Sequence, residues 1–224
     1  MSPEATCRRA TQFGFTLLGN EFALDAKSHS IEQLSATRKS MRWVRGGESA
    51  LIVDSPGRIA DYISLLANRE YSYLMNDGGL IQLAYIFERN EIDRHRLVYC
   101  PCPFAFTIRE LNSYNGALLD LINDQFMPEI EETVLLRSPI RFDYAPTDAA
   151  DYHPASHLTI NAPSCRIPAR APLQFYTFLK FILENFYLEA WQSGAVKAEL
   201  TFSNENDCLS EQDRSRAYLH WTHR

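Results

Sequence analysis

Two triplets, His157-Leu158-Thr159 and His220-Trp221-Thr222, place an imidazole and a hydroxyl two residues apart. In an extended strand residues i and i+2 share a face, so each histidine brings a hydroxyl to its side. Two such pairs across one cleft would hold a phosphate, with one imidazole as general base and the other as general acid. His157, Thr159, His220 and Thr222 are therefore the candidate catalytic residues, and Arg141, Asp143 and Arg166 the candidate binding residues around them. A guanidinium offers phosphate charge-assisted hydrogen bonds, and Asp143 is a ready partner for a histidine. The same stretch invites a metal reading, since His153 and His157 stand four apart with Asp143, Asp151 and Cys165 nearby. That spacing suits zinc on a helix, but Pro154 and the strand-like residues after His157 argue against a long helix. Whether His153, His157 and Cys165 meet stays open from sequence, and neither a metal nor a cofactor is expected.

Other chemistries find less footing. Cys100-Pro101-Cys102 lacks the second pair of a structural zinc site, and no cysteine has a base close in sequence. No acidic pair followed by Lys marks a nuclease centre, and no Gly-rich loop with Lys cradles a phosphate. The two His-x-Thr triplets are similar to the paired motifs of the two-histidine phosphoesterases, which act on cyclic phosphates and RNA ends. That family's duplicated βαβ layout is not visible here.

The elements that must position these residues centre on Pro139–Pro168, which reads as three short strands broken by Pro- and Asp-rich turns. Ile140, Phe142 and Tyr144 alternate with Arg141 and Asp143; Leu158 and Ile160 alternate with His157 and Thr159; Cys165 and Ile167 flank Arg166. If the apolar sides all turn to the core, Arg141, Asp143, His157, Thr159 and Arg166 share the other face. Upstream, Tyr71–Met75, Leu80–Glu88 and His95–Cys102 form an antiparallel meander, its first turn made by Asn76-Asp77-Gly78-Gly79. Helices are expected over residues 5–25 and from Ser30 to Gly46-Gly47, where Ser30 and Gln33 have capping-box spacing. Leu51–Val53 reads as a short strand, and Asp54-Ser55-Pro56 caps a helix carrying Ile59, Tyr62, Ile63 and Leu66. Ile108–Phe126 and Phe175–Trp191 read as helices, the latter apolar enough to be the main one on the sheet. Residues 129–138 fit helix or strand equally. Ala198–Phe202 reads as a strand, residues 203–213 as an acidic loop, and Ala217–His223 as a last strand.

The chain has 224 residues, 46% of them hydrophobic, with a net charge of −6. This suits a single domain, residues 1–70 mostly helical and 71–224 an antiparallel sheet with packed helices. The class is α+β, with a central antiparallel sheet, a meander plus further strands, packed on one side by helices. The acidic balance excludes a general polyanion-binding field. Lysine stands only at Lys27, Lys39, Lys180 and Lys197, so most cations are arginines, the better ligands for planar anions. Five cysteines, an odd number, and no secretory apolar region lead us to expect reduced thiols and a cytoplasmic location. No stretch reaches the roughly 20 apolar residues of a membrane span.

The ordered set YSYLMNDGGLIQLAYIF, HRLVYCPCPF, RFDY, HPASHLTI, CRIP and FILENFY resembles an uncharacterised bacterial family, domain of unknown function 2290, from about Leu51 to the end. The resemblance implies a bacterial cytoplasmic protein without an established activity and assigns no catalytic residue. Such proteins often sit in variable genomic islands, which suggests an accessory component of a phage-defence or mobile-island system. The leading expectation is a binding or regulatory protein with a protein partner or a second copy of itself, or a nucleotide or RNA ligand. The alternative is a phosphoesterase or ribonuclease using the two His-x-Thr motifs.

Overall fold

The computed structural model describes residues 2–43, 58–193 and 207–220. Among these, nine strands form one antiparallel sheet. β1 (Ala23–Ala26), β4 (Tyr73–Met75), β5 (Leu80–Glu88), β6 (Glu91–Cys100), β7 (Ile140–Tyr144), β8 (Ser156–Ile160) and β9 (Arg166–Pro168) lie side by side in that order. β5 is long enough to serve two partners along one edge. Its start pairs with β4, its end with β3 (Arg38–Trp43), and β2 (His29–Gln33) lies outside β3. Two turns fix the centre: Gly78 takes φ +84 in the β4–β5 hairpin, and Arg89-Asn90 hold φ +50 and +70 between β5 and β6. A two-residue loop with both φ positive matches the right-handed twist of the strands it joins.

In β4 to β6 alternation sorts the side chains between two cores, whereas β7 and β8 reach only the first. On one face Leu83 and Phe87 of β5, Leu97 of β6 and Phe142 of β7 meet two helices. These are α1 (Pro3–Gly19), through Phe13 and Leu17, and α6 (Phe175–Phe186), through Phe178 and Ile182. On the other face Leu74, Leu80 and Val98 meet Leu65 of α2 (Ile59–Ala67) and Leu121 of α4 (Leu118–Leu121). Each such side chain taken from water stabilises the fold by about 1.5–3 kcal/mol. The α+β class and the central antiparallel sheet stand as expected, but the helices expected on one side lie on both faces, with α2 and α4 over β4–β6.

Several local expectations need correction. Where a helix is expected from Ser30 to Gly46-Gly47, the described residues form the β2–β3 hairpin, with Ser30 opposite Arg42 and Ile31 opposite Met41. Met41 and Trp43 are buried at period two, and pairing of Arg38–Met41 with β5 outweighs a helical start signal of two residues. The first helix stops at Gly19, and residues 23–26 form β1. The Ile108–Phe126 helix is broken into α3 (Ile108–Ser113), α4 and a π-helical turn, with Asn115 and Gly116 at positive φ between α3 and α4. α5 (Ile130–Thr133) resolves the ambiguous stretch as one helical turn. The long helix ends at Phe186, and α7 (Leu188–Gln192) follows. Tyr187 breaks it at φ −135, its hydroxyl donating to Asp77 Oδ1 at 2.8 Å. The acidic loop contains α8 (Glu211–Arg214). Of the last expected strand, the described part contributes one parallel bridge, Leu219 to Ala169. Leu51–Val53, the Asp54-Ser55-Pro56 cap and Ala198–Phe202 lie outside the described residues. Among the described residues no helix is long and apolar enough to cross a membrane.

Candidate functional site

The five polar residues of β7, β8 and β9 share a face because the register pairs them directly. Arg141 stands opposite Thr159, Asp143 opposite His157, and Thr159 opposite Arg166. Their apolar neighbours Phe142 and Leu158 are paired in the same way on the core side. β6 adds Arg96, which lies opposite Asp143. The sequence-derived group does not include this residue, although the alternation of Arg94 and Arg96 with His95 carries the signal. Arg96 lies within the expected strand His95–Cys102, which in the structure begins earlier, at Glu91, and it is the pairing of β6 with β7 that brings it to Asp143.

Asp143 is the electrostatic centre. Its Oδ1 accepts from Arg96 Nε at 2.8 Å and its Oδ2 from Arg141 Nε at 2.6 Å. Burial alone would raise its pKa, but the two guanidinium charges outweigh it and hold the carboxyl below its ordinary value. His157 Nδ1 lies 2.9 Å from the Pro154 carbonyl, which can only accept, so the Nδ1 proton is fixed there. Nε2 then turns its lone pair toward Asp143 Oδ2 at 3.7 Å. Burial lowers the pKa of His157, helped by His153 and Arg166 and opposed by Pro154 and Asp143. The imidazole is therefore neutral near pH 7. Arg96, Arg141 and Arg166 thus face one carboxylate and a neutral ring.

Two donors of this group have no hydrogen-bond partner: the buried Thr159 hydroxyl and the buried Nε of Arg166. They sit on directly opposed residues, whose Cβ atoms are about 5 Å apart in such a pair. An unsatisfied buried polar group costs about 1–3 kcal/mol.

The second triplet is placed elsewhere. His220 is exposed, and its Nε2 lies 2.5 Å from an Arg170 amino nitrogen. It stands beyond β9, next to the Leu219–Ala169 bridge. Two strand spacings and two residues along the strand put its Cα on the order of 12 Å from that of His157. Thr222 lies outside the described residues. The structure therefore assembles Arg141, Asp143, His157, Thr159 and Arg166, and does not add His220 to them. His153 meets His157 through their rings, with centroids 5.1 Å apart. Among the described residues no three His, Cys, Asp or Glu side chains group as metal ligands.

No curated protein and no solved structure matches the chain. One family does, over residues 24–221, a span that begins before the stretch carrying the resemblance and includes the whole arginine-rich face. The chain accordingly belongs to the conserved family described as Uncharacterized conserved protein (DUF2290).

Proposed function

We propose that this protein is a binding or regulatory protein whose arginine-bearing sheet face receives a phosphate group, as part of a nucleotide or an RNA end. The observation that carries the reading is the pair of buried donors without partners, Thr159 Oγ1 and Arg166 Nε, on opposed residues. A phosphate oxygen accepts from both, and its charge suits a face that carries three arginines and one carboxylate. Asp143 holds Arg96 and Arg141 in place through their Nε atoms. His157, with its Nδ1 proton committed to Pro154, belongs to the frame of the site. The spacing of His157 and His220 gives no support to a two-histidine hydrolysis, so 2′,3′-cyclic nucleotides are expected to survive incubation with the protein.

Calorimetry with adenosine 5′-monophosphate and a short 5′-phosphorylated RNA tests the reading at low salt. Wild type binds at least one of them, and Arg166→Gln weakens that binding about tenfold, as loss of a hydrogen bond to a charged group predicts. Inorganic phosphate competes. A folded wild type that takes up neither ligand, or an Arg166→Gln variant of undiminished affinity, overturns the proposal.

A further inference from the structure

On the opposite face of the same sheet, where α6 begins, lies a cavity of about 440 Å³. That volume is within the range of small-molecule sites. Its walls are aromatic for a reason visible in the strands. Tyr85 and Phe87 share one face of β5, and Tyr144 of β7 stands on the same side, with His95 of β6 between Tyr85 and Tyr144 in register. The Tyr85 and Phe87 rings are nearly parallel, at 21° with centroids 5.7 Å apart. Phe175 and Tyr176, at the start of α6, close another side.

The charge of the lining has one sign. Among its described residues are Glu91 and Asp207, and no Lys, Arg or His. Asp207 is already held by Arg170 at 3.1 Å and Arg214 at 2.8 Å. Glu91 is exposed, forms no ion pair among the described residues, and is set at the mouth by the Arg89-Asn90 turn. The face of an aromatic ring is electrostatically negative and attracts a cation within about 6 Å. One ring of this wall already does so: the Arg9 guanidinium carbon lies 5.7 Å from the Tyr176 centroid.

We propose that this cavity is a binding site for an organic cation of the alkylammonium type. Several aromatic walls and a single uncompensated carboxylate suit a cation with no N–H groups to satisfy. A primary ammonium would need three acceptors. The site is independent of the phosphate reading, since it uses none of that face's residues.

The test uses the full chain, with choline as probe and 3,3-dimethyl-1-butanol as control. The control has the same shape, with carbon in place of the charged nitrogen. Ligand-observed NMR titration is expected to show saturable choline binding and at least about tenfold weaker binding of the alcohol. Glu91→Gln, at an exposed position, weakens choline binding several-fold and reduces its salt dependence. Tyr144→Leu keeps an apolar wall and loses the ring, so affinity falls while the thermal unfolding midpoint stays within a few degrees. Equal affinity for the two probes overturns the proposal, as does the absence of saturable choline binding up to on the order of 10 mM. Undiminished binding by a folded Tyr144→Leu variant does the same.

Discussion

β7 sends opposite chemistry to the two sides of one sheet. Phe142 and Tyr144 face α6 and the aromatic cavity, whereas Arg141 and Asp143 face β8's His157 and Thr159. The cavity side has carboxylates and no basic residue among its described lining, and the other side has Arg96 and Arg141 on one carboxylate with Arg166 opposite Thr159. Both sides are largely buried, so hydrophobicity alone does not tell them apart. The lesson is that a strand buried on both faces can still carry a reading frame for charge, set by its period of two.

The largest test of that comparison removes one residue from each side. Phe142→Ala empties a fully buried position and is expected to cost about 3–5 kcal/mol. Asp143→Ala leaves Arg96 and Arg141 without their carboxylate and should cost a similar 3–5 kcal/mol near neutral pH. Denaturant titration separates the causes. The Phe142 penalty is independent of pH. The Asp143 penalty is present above the ordinary carboxyl value of 3.8 and disappears as pH falls through its lowered native value. A pH-independent Asp143→Ala penalty would show that packing, not charge, holds that side together.

Next in size is the acid response of the core side. His95 is pushed down to about 4 by burial, and its Nε2 accepts from the Leu173 amide at 2.8 Å. His29, against Ser72, is pushed down to about 3 by burial. Both take up protons on unfolding before they do so in the folded chain. Stability is therefore expected to fall as pH drops from about 6.5 toward 4, by about 1.4 kcal/mol per pH unit for each histidine at full slope. His95→Gln should remove its share of that slope. An unfolding free energy that is flat between pH 6.5 and 4.5 would falsify this.

The smallest effect has an informative sign. Thr159→Val exchanges an unpartnered buried hydroxyl for a methyl group of the same shape. The free protein is expected to gain up to about 1 kcal/mol in stability, while phosphate binding weakens. A loss of stability in the free protein would mean that the hydroxyl already has a structural partner, and the proposed site would lose its main support.

The sequence made parts of this arrangement legible for identifiable reasons. The grouping of Arg141, Asp143, His157, Thr159 and Arg166 could be read because each lies in a short strand whose apolar neighbours alternate strictly. Arg96 lies inside the expected strand His95–Cys102, but its place beside Asp143 is set by the β6–β7 register, which joins residues 47 positions apart in the chain. The β2–β3 hairpin reads as a helix in sequence because Ser30 and Gln33 copy the spacing of a helix start. Its true determinant, pairing with β5, is made by residues nearly fifty positions away. His220 looked equivalent to His157 in sequence, and only the pairing of Leu219 with Ala169 puts it beyond the sheet's last strand. The cavity was invisible because Thr6, Tyr144 and Phe175 come from distant parts of the chain.

The Leu219–Ala169 bridge also bears on self-association. Strand edges with free N–H and C=O groups recruit strands from other molecules. β9 is three residues long and ends in Pro168, which has no N–H to offer. Leu219 donates to the Pro168 carbonyl at 2.8 Å and accepts from Arg170 at 2.9 Å. The chain's own late residues thus hold the end of that edge, and the Arg216 side chain donates to the Arg166 carbonyl at 3.0 Å, which leaves fewer free backbone groups beside the arginine-rich face for a strand from a second copy.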